Sequence, residues 1–103
     1  MQRVTLVRYV TKPEFTEENA ALSRAVFTEL RANAPKHIAY GLFQNGNEFV
    51  HVFINVAADD ASMLVDLPSF QRYSKAIADR CEVPPQPTRF TLQLLDSYGL
   101  PSR

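Results

Sequence analysis

The stretch from His37 to Val56 constrains the fold more than any other part of the chain. Two apolar runs, 37–43 and 48–56, flank Gln44-Asn45-Gly46-Asn47. Asn-Gly between such runs is a strong β-hairpin signal, because both central turn positions favour φ > 0. Whether the turn is centred on 45–46 or on 46–47, the two-residue period groups the same side chains. One face carries Ile38, Tyr40, Leu42, Phe49, His51, Phe53 and Asn55; the other carries Ala39, Gly41, Phe43, Val50, Val52, Ile54 and Val56. The second face pairs small residues with aliphatic ones, leaving room for helices or a cavity above it. Phe53 is then expected at a contact between copies.

Elements on either side of the hairpin complete a pattern. Arg3 to Val10 is apolar on both faces and predicts a central strand. After Lys12-Pro13, Thr16 precedes Glu17 and Glu18, as an N-cap followed by acids that favour a helix start. Leu22, Val26 and Leu30 form the stripe of an amphipathic helix that Pro35 ends. A turn of helix is expected around 61–65, and Asp59-Asp60 caps or solvates that connection. Pro68 opens a second helix, with Phe70, Tyr73, Ile77 and Cys81 on one side. Pro84, Pro85 and Pro87 close it ahead of a last strand at 88–95, which holds no Lys or Pro to guard its edge. The order β-α-β-β-α-β predicts an α+β, ferredoxin-like domain over 1–103. Its four-stranded antiparallel sheet carries two helices on one face, with strands one and three central.

Composition removes several functional classes. Lys+Arg and Asp+Glu number 11 each in 103 residues, so no net field draws the chain to nucleic acid. No apolar run approaches the ~18–20 residues of a membrane span, and the N-terminus lacks the apolar core of a signal peptide. A single cysteine, Cys81, excludes an internal disulfide and a Cys-based metal site, which suits a reducing, cytoplasmic setting. Two histidines without clustered carboxylates predict no metal, and no phosphate loop or nucleotide fingerprint calls for a cofactor. So small a domain removes only roughly 60–65% of its unfolded surface from water, so a partner subunit would add usefully to the burial.

VRYVTKP before an acidic helix start, IAYGLFQNGNEFVHVFIN, and LPSFQRYSKAIADRCEVPP together resemble the dimeric α/β-barrel superfamily. Within it the chain is most similar to small members of the antibiotic biosynthesis monooxygenase-like group, over about residues 3–98. The resemblance implies a homodimer whose two sheets form one barrel. It implies no single reaction, since such proteins include cofactor-independent oxygenases of polyketide quinones, haem-degrading enzymes, isomerases and decarboxylases. The haem-degrading branch uses an Asn on the first strand, a Trp ending the third and a His on the second helix. The matching positions fall near Leu6, Val56 and Ser74, which sets haem chemistry aside.

His51 is the first candidate for chemistry. A mid-strand imidazole among aromatics is desolvated and held neutral, as a base requires. Tyr40 shares its face, within hydrogen-bonding reach, and Tyr9 joins them if its register runs with Thr5 and Val7. A His51–Tyr40 pair in an apolar cavity can deprotonate a phenol or anthrone-like substrate whose carbanion then reacts with oxygen. The bland reading keeps His51 as a satisfied core residue. Arg8, on a central strand, either pairs with a carboxylate of the second helix or binds an anionic substrate group. Tyr73 belongs to a core stripe or turns its hydroxyl into a cleft. His37 is expected to be exposed, and Cys81, near a helix end, an inert filler. A small-molecule enzyme and a non-catalytic dimeric binding protein both fit; an enclosed pocket of roughly 300 Å3 or more reached by a His or Tyr favours the enzyme.

Overall fold

Asn45 and Glu48 face each other across Gly46-Asn47, so the hairpin closes on two residues. Gly46 takes φ 60 and Asn47 does not share the positive φ, the pattern of a turn with glycine at its first central position. Around it the computed structural model describes residues 2–57 and 62–101. The elements are β1 (Gln2–Thr11), a 3-10 turn (Pro13–Phe15), α1 (Thr16–Asn33), β2 (Ile38–Asn45), β3 (Glu48–Asn55), α2 (Ser62–Val65), α3 (Pro68–Ser74), α4 (Ile77–Arg80) and β4 (Cys81–Leu92). The sheet order is β2-β3-β1-β4, antiparallel throughout. The α+β, ferredoxin-like sheet expected from the sequence is the one observed. Asp59 and Asp60 lie outside the described residues. Among the described residues no helix is long and apolar enough to cross a membrane.

Register decides which face the helices cover. Tyr9 pairs with Phe49, Val7 with His51 and Thr5 with Phe53, which sets these side chains on one face with Ile38, Tyr40 and Leu42. That face packs on Val26 and Leu30 of α1 and Tyr73 of α3, with Tyr9 and Phe49 wholly buried. The small-and-aliphatic face is instead the bare one, correcting the sequence expectation, and Phe53 lies with the helices. The reason is volume. Large rings fill the depth between sheet and helix, whereas Gly41 and Ala39 leave helices little to bury against. On the bare face Leu6, Phe43 and Leu92 remain 39%, 62% and 49% exposed.

The helices depart from expectation for local reasons. Thr16 is the first helical residue of α1 and caps nothing. Its hydroxyl lies 2.8 Å from Thr11 Oγ1 and 2.8 Å from Asn47 Oδ1, tying the helix start to the hairpin turn. Ala34 ends α1 in the left-handed region, its N–H bonded to the Leu30 carbonyl at 2.7 Å. The N-terminus of α3 has no cap of its own. Glu29 of α1 accepts from the Ser69 N–H at 3.0 Å and from its hydroxyl, which holds the carboxyl below its usual range.

The second long helix is broken. α3 stops at Ser74, Ala76 turns left-handed at φ 59, and α4 follows. The cause is Arg80, whose guanidinium takes the carbonyls of Tyr73 and Lys75 at 2.6 and 3.1 Å. A continuous helix would spend those carbonyls on N–H groups four residues on. Cys81 therefore begins β4 instead of ending a helix, and burial raises its thiol pKa. Pro84, Pro85 and Pro87 sit inside β4, not before it. They are tolerated because β4 is an edge strand, and the register skips from Gln86 to Val83 opposite Arg8 and Val10. Bulge and prolines together guard an edge that the sequence alone leaves open.

Candidate functional site

Strand alternation on β1 and β3 aims Tyr9 and His51 into the space under α1 and α3, and the diagonal neighbour Tyr40 joins them from β2. His51 Nδ1 lies 2.7 Å from the Tyr40 hydroxyl. His51 Nε2 lies 2.8 Å from the Tyr9 hydroxyl and 3.2 Å from that of Tyr73. Tyr73 donates to Tyr9 at 2.8 Å, and Asn19 Nδ2 donates to Tyr9 at 2.9 Å. Arg80 then donates from Nε and Nη2 to Asn19 Oδ1, each at 3.2 Å. A guanidinium can only donate. It fixes the Asn19 amide with its oxygen outward and its NH2 on Tyr9.

Packing holds each ring in place. Phe49 stacks on Tyr9 at 5.4 Å, Phe27 lies 4.7 Å from Tyr40, and Phe70 lies 5.7 Å from Tyr73. Arg80 sits 5.8 Å over the Tyr73 ring. Its charge, 6% exposed and facing no carboxylate among the described residues, rests on the carbonyls that end α3, where the helix dipole is negative. Burial sets the electrostatics. It lowers the His51 pKa to about 4, so the ring is neutral at neutral pH. It raises the hydroxyls of Tyr9, Tyr40 and Tyr73 above the ordinary phenol range, and for Tyr9 the hydrogen bonds from Tyr73 and Asn19 offset part of the rise.

The network ends in a cavity of about 510 Å3 between the sheet and α2–α3. Tyr40, His51 and Tyr73 contribute to its polar lining together with Thr5, Asn55, Ser74 and Thr91; Val7, Phe53, Leu64, Phe70 and Ile77 contribute apolar walls, and Arg3 and Arg89 line it from β1 and β4. Both imidazole nitrogens already bond tyrosine hydroxyls, so a proton exchanged between His51 and any ligand in the cavity would have to travel through Tyr40 or Tyr73. The site can hold a flat apolar molecule, donate a hydrogen bond to its oxygen and accept a proton from it. Among the described residues no group of His, Cys, Asp and Glu converges as a metal site.

Four of the five residues singled out in the sequence, Tyr9, Tyr40, His51 and Tyr73, meet here. Arg8 does not. It projects from the bare face and pairs with Glu48 on β3, not with a carboxylate of the second helix. His37, also set apart from the network, sits half-buried at φ 68 just before β2. Asn19 and Arg80 escaped the sequence reading. Asn19 lies seven and eleven positions before Val26 and Leu30 and so shares their buried stripe, a spacing that would have found it. Arg80 gave no such signal, because its partners come from Asn19 and from the end of α3.

No family model and no curated protein matches the chain. Solved structures do. A protein of Nitrosomonas europaea assigned to the antibiotic biosynthesis monooxygenases is 17% identical, with a TM-score of 0.74 over 93% of this chain and 94% of that one. The Rv0793 protein of Mycobacterium tuberculosis is 18% identical, with a TM-score of 0.71 over 94% and 100%. SnoaB of Streptomyces nogalater, a cofactor-independent oxygenase, is 18% identical, with a TM-score of 0.60 over 93% and 98%. At these identities the likeness is one of fold, and it is the fold that the sequence resemblance implied.

Proposed function

We propose that the chain is a small-molecule enzyme of the cofactor-independent monooxygenase kind, acting on an aromatic or quinone-type substrate. The observation that carries this is the neutral Tyr40–His51–Tyr73 network, buried on one side and forming a wall of the 510 Å3 cavity on the other. Such a wall suits a substrate with an acidic C–H or O–H and a conjugated oxygen. Tyr40 donates to the developing oxyanion while the network accepts the proton. Negative charge on the ligand favours the imidazolium, offsetting the burial that holds His51 neutral beforehand. For anthrone, the resulting carbanion supplies the electrons that reduce dioxygen. One oxygen atom enters the ring carbon as the quinone carbonyl and the other leaves as water.

The likeness in fold to SnoaB, a cofactor-independent oxygenase, supports the assignment. We place a second copy on the bare face, where Phe43 on β2, Leu6 on β1 and Leu92 on β4 leave exposed apolar side chains spread across the sheet from one edge strand to the other. The test is oxygen uptake with anthrone, comparing the wild type with His51→Phe. Acceleration by the wild type and a loss of about 100-fold or more in the variant is expected, the size of a general acid–base contribution. Tight anthraquinone binding with no oxygen uptake would assign the chain to non-catalytic binding.

A further inference from the structure

The bonding around His51 has a direction, and that direction has two solutions. Tyr9 oxygen has two lone pairs and one proton. In the first solution Asn19 and Tyr73 both donate to Tyr9, so the Tyr9 proton goes to His51 Nε2. The ring then carries its proton on Nδ1 and donates it to Tyr40, whose own proton is left for the cavity. The second solution reverses the Tyr73-to-Tyr9 bond that the structure shows: Tyr40 donates to Nδ1, Nε2–H donates to Tyr9, and Tyr9 donates to Tyr73. The unused proton is now on Tyr73. Asn19 cannot reverse in either case, because Arg80 holds its oxygen. From this network the cavity therefore meets one donating hydroxyl and one accepting hydroxyl, on opposite edges of a single imidazole, and the two exchange roles when His51 changes tautomer.

We propose that this chain of hydroxyls and imidazole is a two-ended proton relay, and that the site catalyses the oxygen-independent keto–enol tautomerisation of aromatic ketones. The steps balance without any oxidant. For anthrone, the C10–H bond breaks and its proton goes to the Tyr73 oxygen, while the Tyr73 proton passes to Tyr9. The Tyr9 proton passes to Nε2, the Nδ1 proton to Tyr40, and the Tyr40 proton to the carbonyl oxygen. The product is the enol, 9-anthrol, and the relay is left in its second solution. The reverse reaction restores the first. No group bears a net charge at either end of the sequence. Burial penalises every tyrosinate and the imidazolium alike, which favours a concerted transfer that charges none of them. The inference rests on the cavity as the ligand site and makes no use of oxygen.

The experiment follows deuterium entry at C10 of anthrone under argon in heavy water, for the wild type, Tyr40→Phe and Tyr73→Phe. Anthraquinone, which has no exchangeable C–H, reports binding. Exchange well above buffer is expected for the wild type, with each Phe variant losing about 100-fold in exchange at saturating substrate, a loss at least about tenfold larger than any loss of anthraquinone affinity. A wild type that does not accelerate exchange overturns the proposal, and so does either variant exchanging within tenfold of it, since a one-ended base needs only one tyrosine. Nitrogen-15 spectra of His51 in the wild type give a measurement independent of variant folding. The two neutral tautomers should redistribute on adding anthraquinone, and one unchanged tautomer or a protonated ring at neutral pH overturns the relay. Admitting air separates the two functional claims. Exchange without oxygen uptake removes the oxygenase reading and leaves the relay, whereas oxygen uptake without exchange under argon does the reverse.

Discussion

Replacing Arg80 with Met tests whether the buried guanidinium organises both the site and the chain that carries it. Met keeps most of the aliphatic stem and removes four N–H···O bonds, two to Asn19 Oδ1 and one each to the Tyr73 and Lys75 carbonyls. Each bond from a charged donor is worth about 1.5–3 kcal/mol net. Against that stands the cost of holding a cation at 6% exposure with no carboxylate among the described residues beside it, several kcal/mol that the variant recovers. The freed carbonyls also gain an alternative, since they can rejoin α3 to α4 as one helix. A net loss of about 3 kcal/mol is expected, which in a domain of this size lowers the melting temperature by about 12–15 °C. Urea titration and thermal melting followed by circular dichroism measure it, and the helical signal should not fall with stability. A loss below about 1 kcal/mol would refute the reasoning, because the acceptors would then have found water or other partners at no cost.

His51 makes stability depend on acid. Its folded pKa near 4 lies below the unfolded value of 6.5, so unfolding takes up a proton between those limits. The stability present above pH 6.5 should therefore fall by about 3 kcal/mol as pH drops towards 4, a slope that His51→Phe should remove in parallel urea titrations. Leu6→Asp, on the bare face, should weaken self-association in light scattering. Phe53→Asp should leave association intact and lower anthraquinone affinity, because Phe53 lines the cavity. Gly46→Val should cost about 1 kcal/mol in thermal melts, from backbone strain alone, since a Cβ at φ 60 meets no atom within 4 Å.

Whatever depended on local period was legible in the sequence. Alternation alone groups His51 with Tyr40 on one face and offers Tyr9 a place beside them, and element order predicts the topology. What depended on choosing between two apolar faces was not legible, because β1 and β3 are apolar on both sides and only ring volume against α1 decides. The break between α3 and α4 was hidden for a different reason. Residues 68–81 have a helical apolar stripe, and the interruption comes from a side chain at 80 folding back on carbonyls at 73 and 75. The prolines of β4 misled because proline argues against a central strand, whereas here it sits at an edge with a bulge.

Arrangements of this kind work against stability, and that bears on purpose. Every buried side-chain nitrogen and oxygen among the described residues has a hydrogen-bond partner, so the network carries no orphan that would unfold the chain. Satisfaction is nevertheless a weak reason for keeping it, because apolar side chains of similar volume often stabilise a core as well as or better than buried polar groups. Phe at Tyr9, Tyr40 and Tyr73 with Leu at His51 and Asn19 and Met at Arg80 would pack the same space without any bond to maintain. A cavity of 510 Å3 beside it forgoes further packing in a domain too small to bury surface freely. Polar bonding and empty volume meet at one wall, where each hydroxyl left facing the cavity has a proton to give or a lone pair to receive one. A structural network would have no need of that frontier, whereas a proton-transfer site requires it.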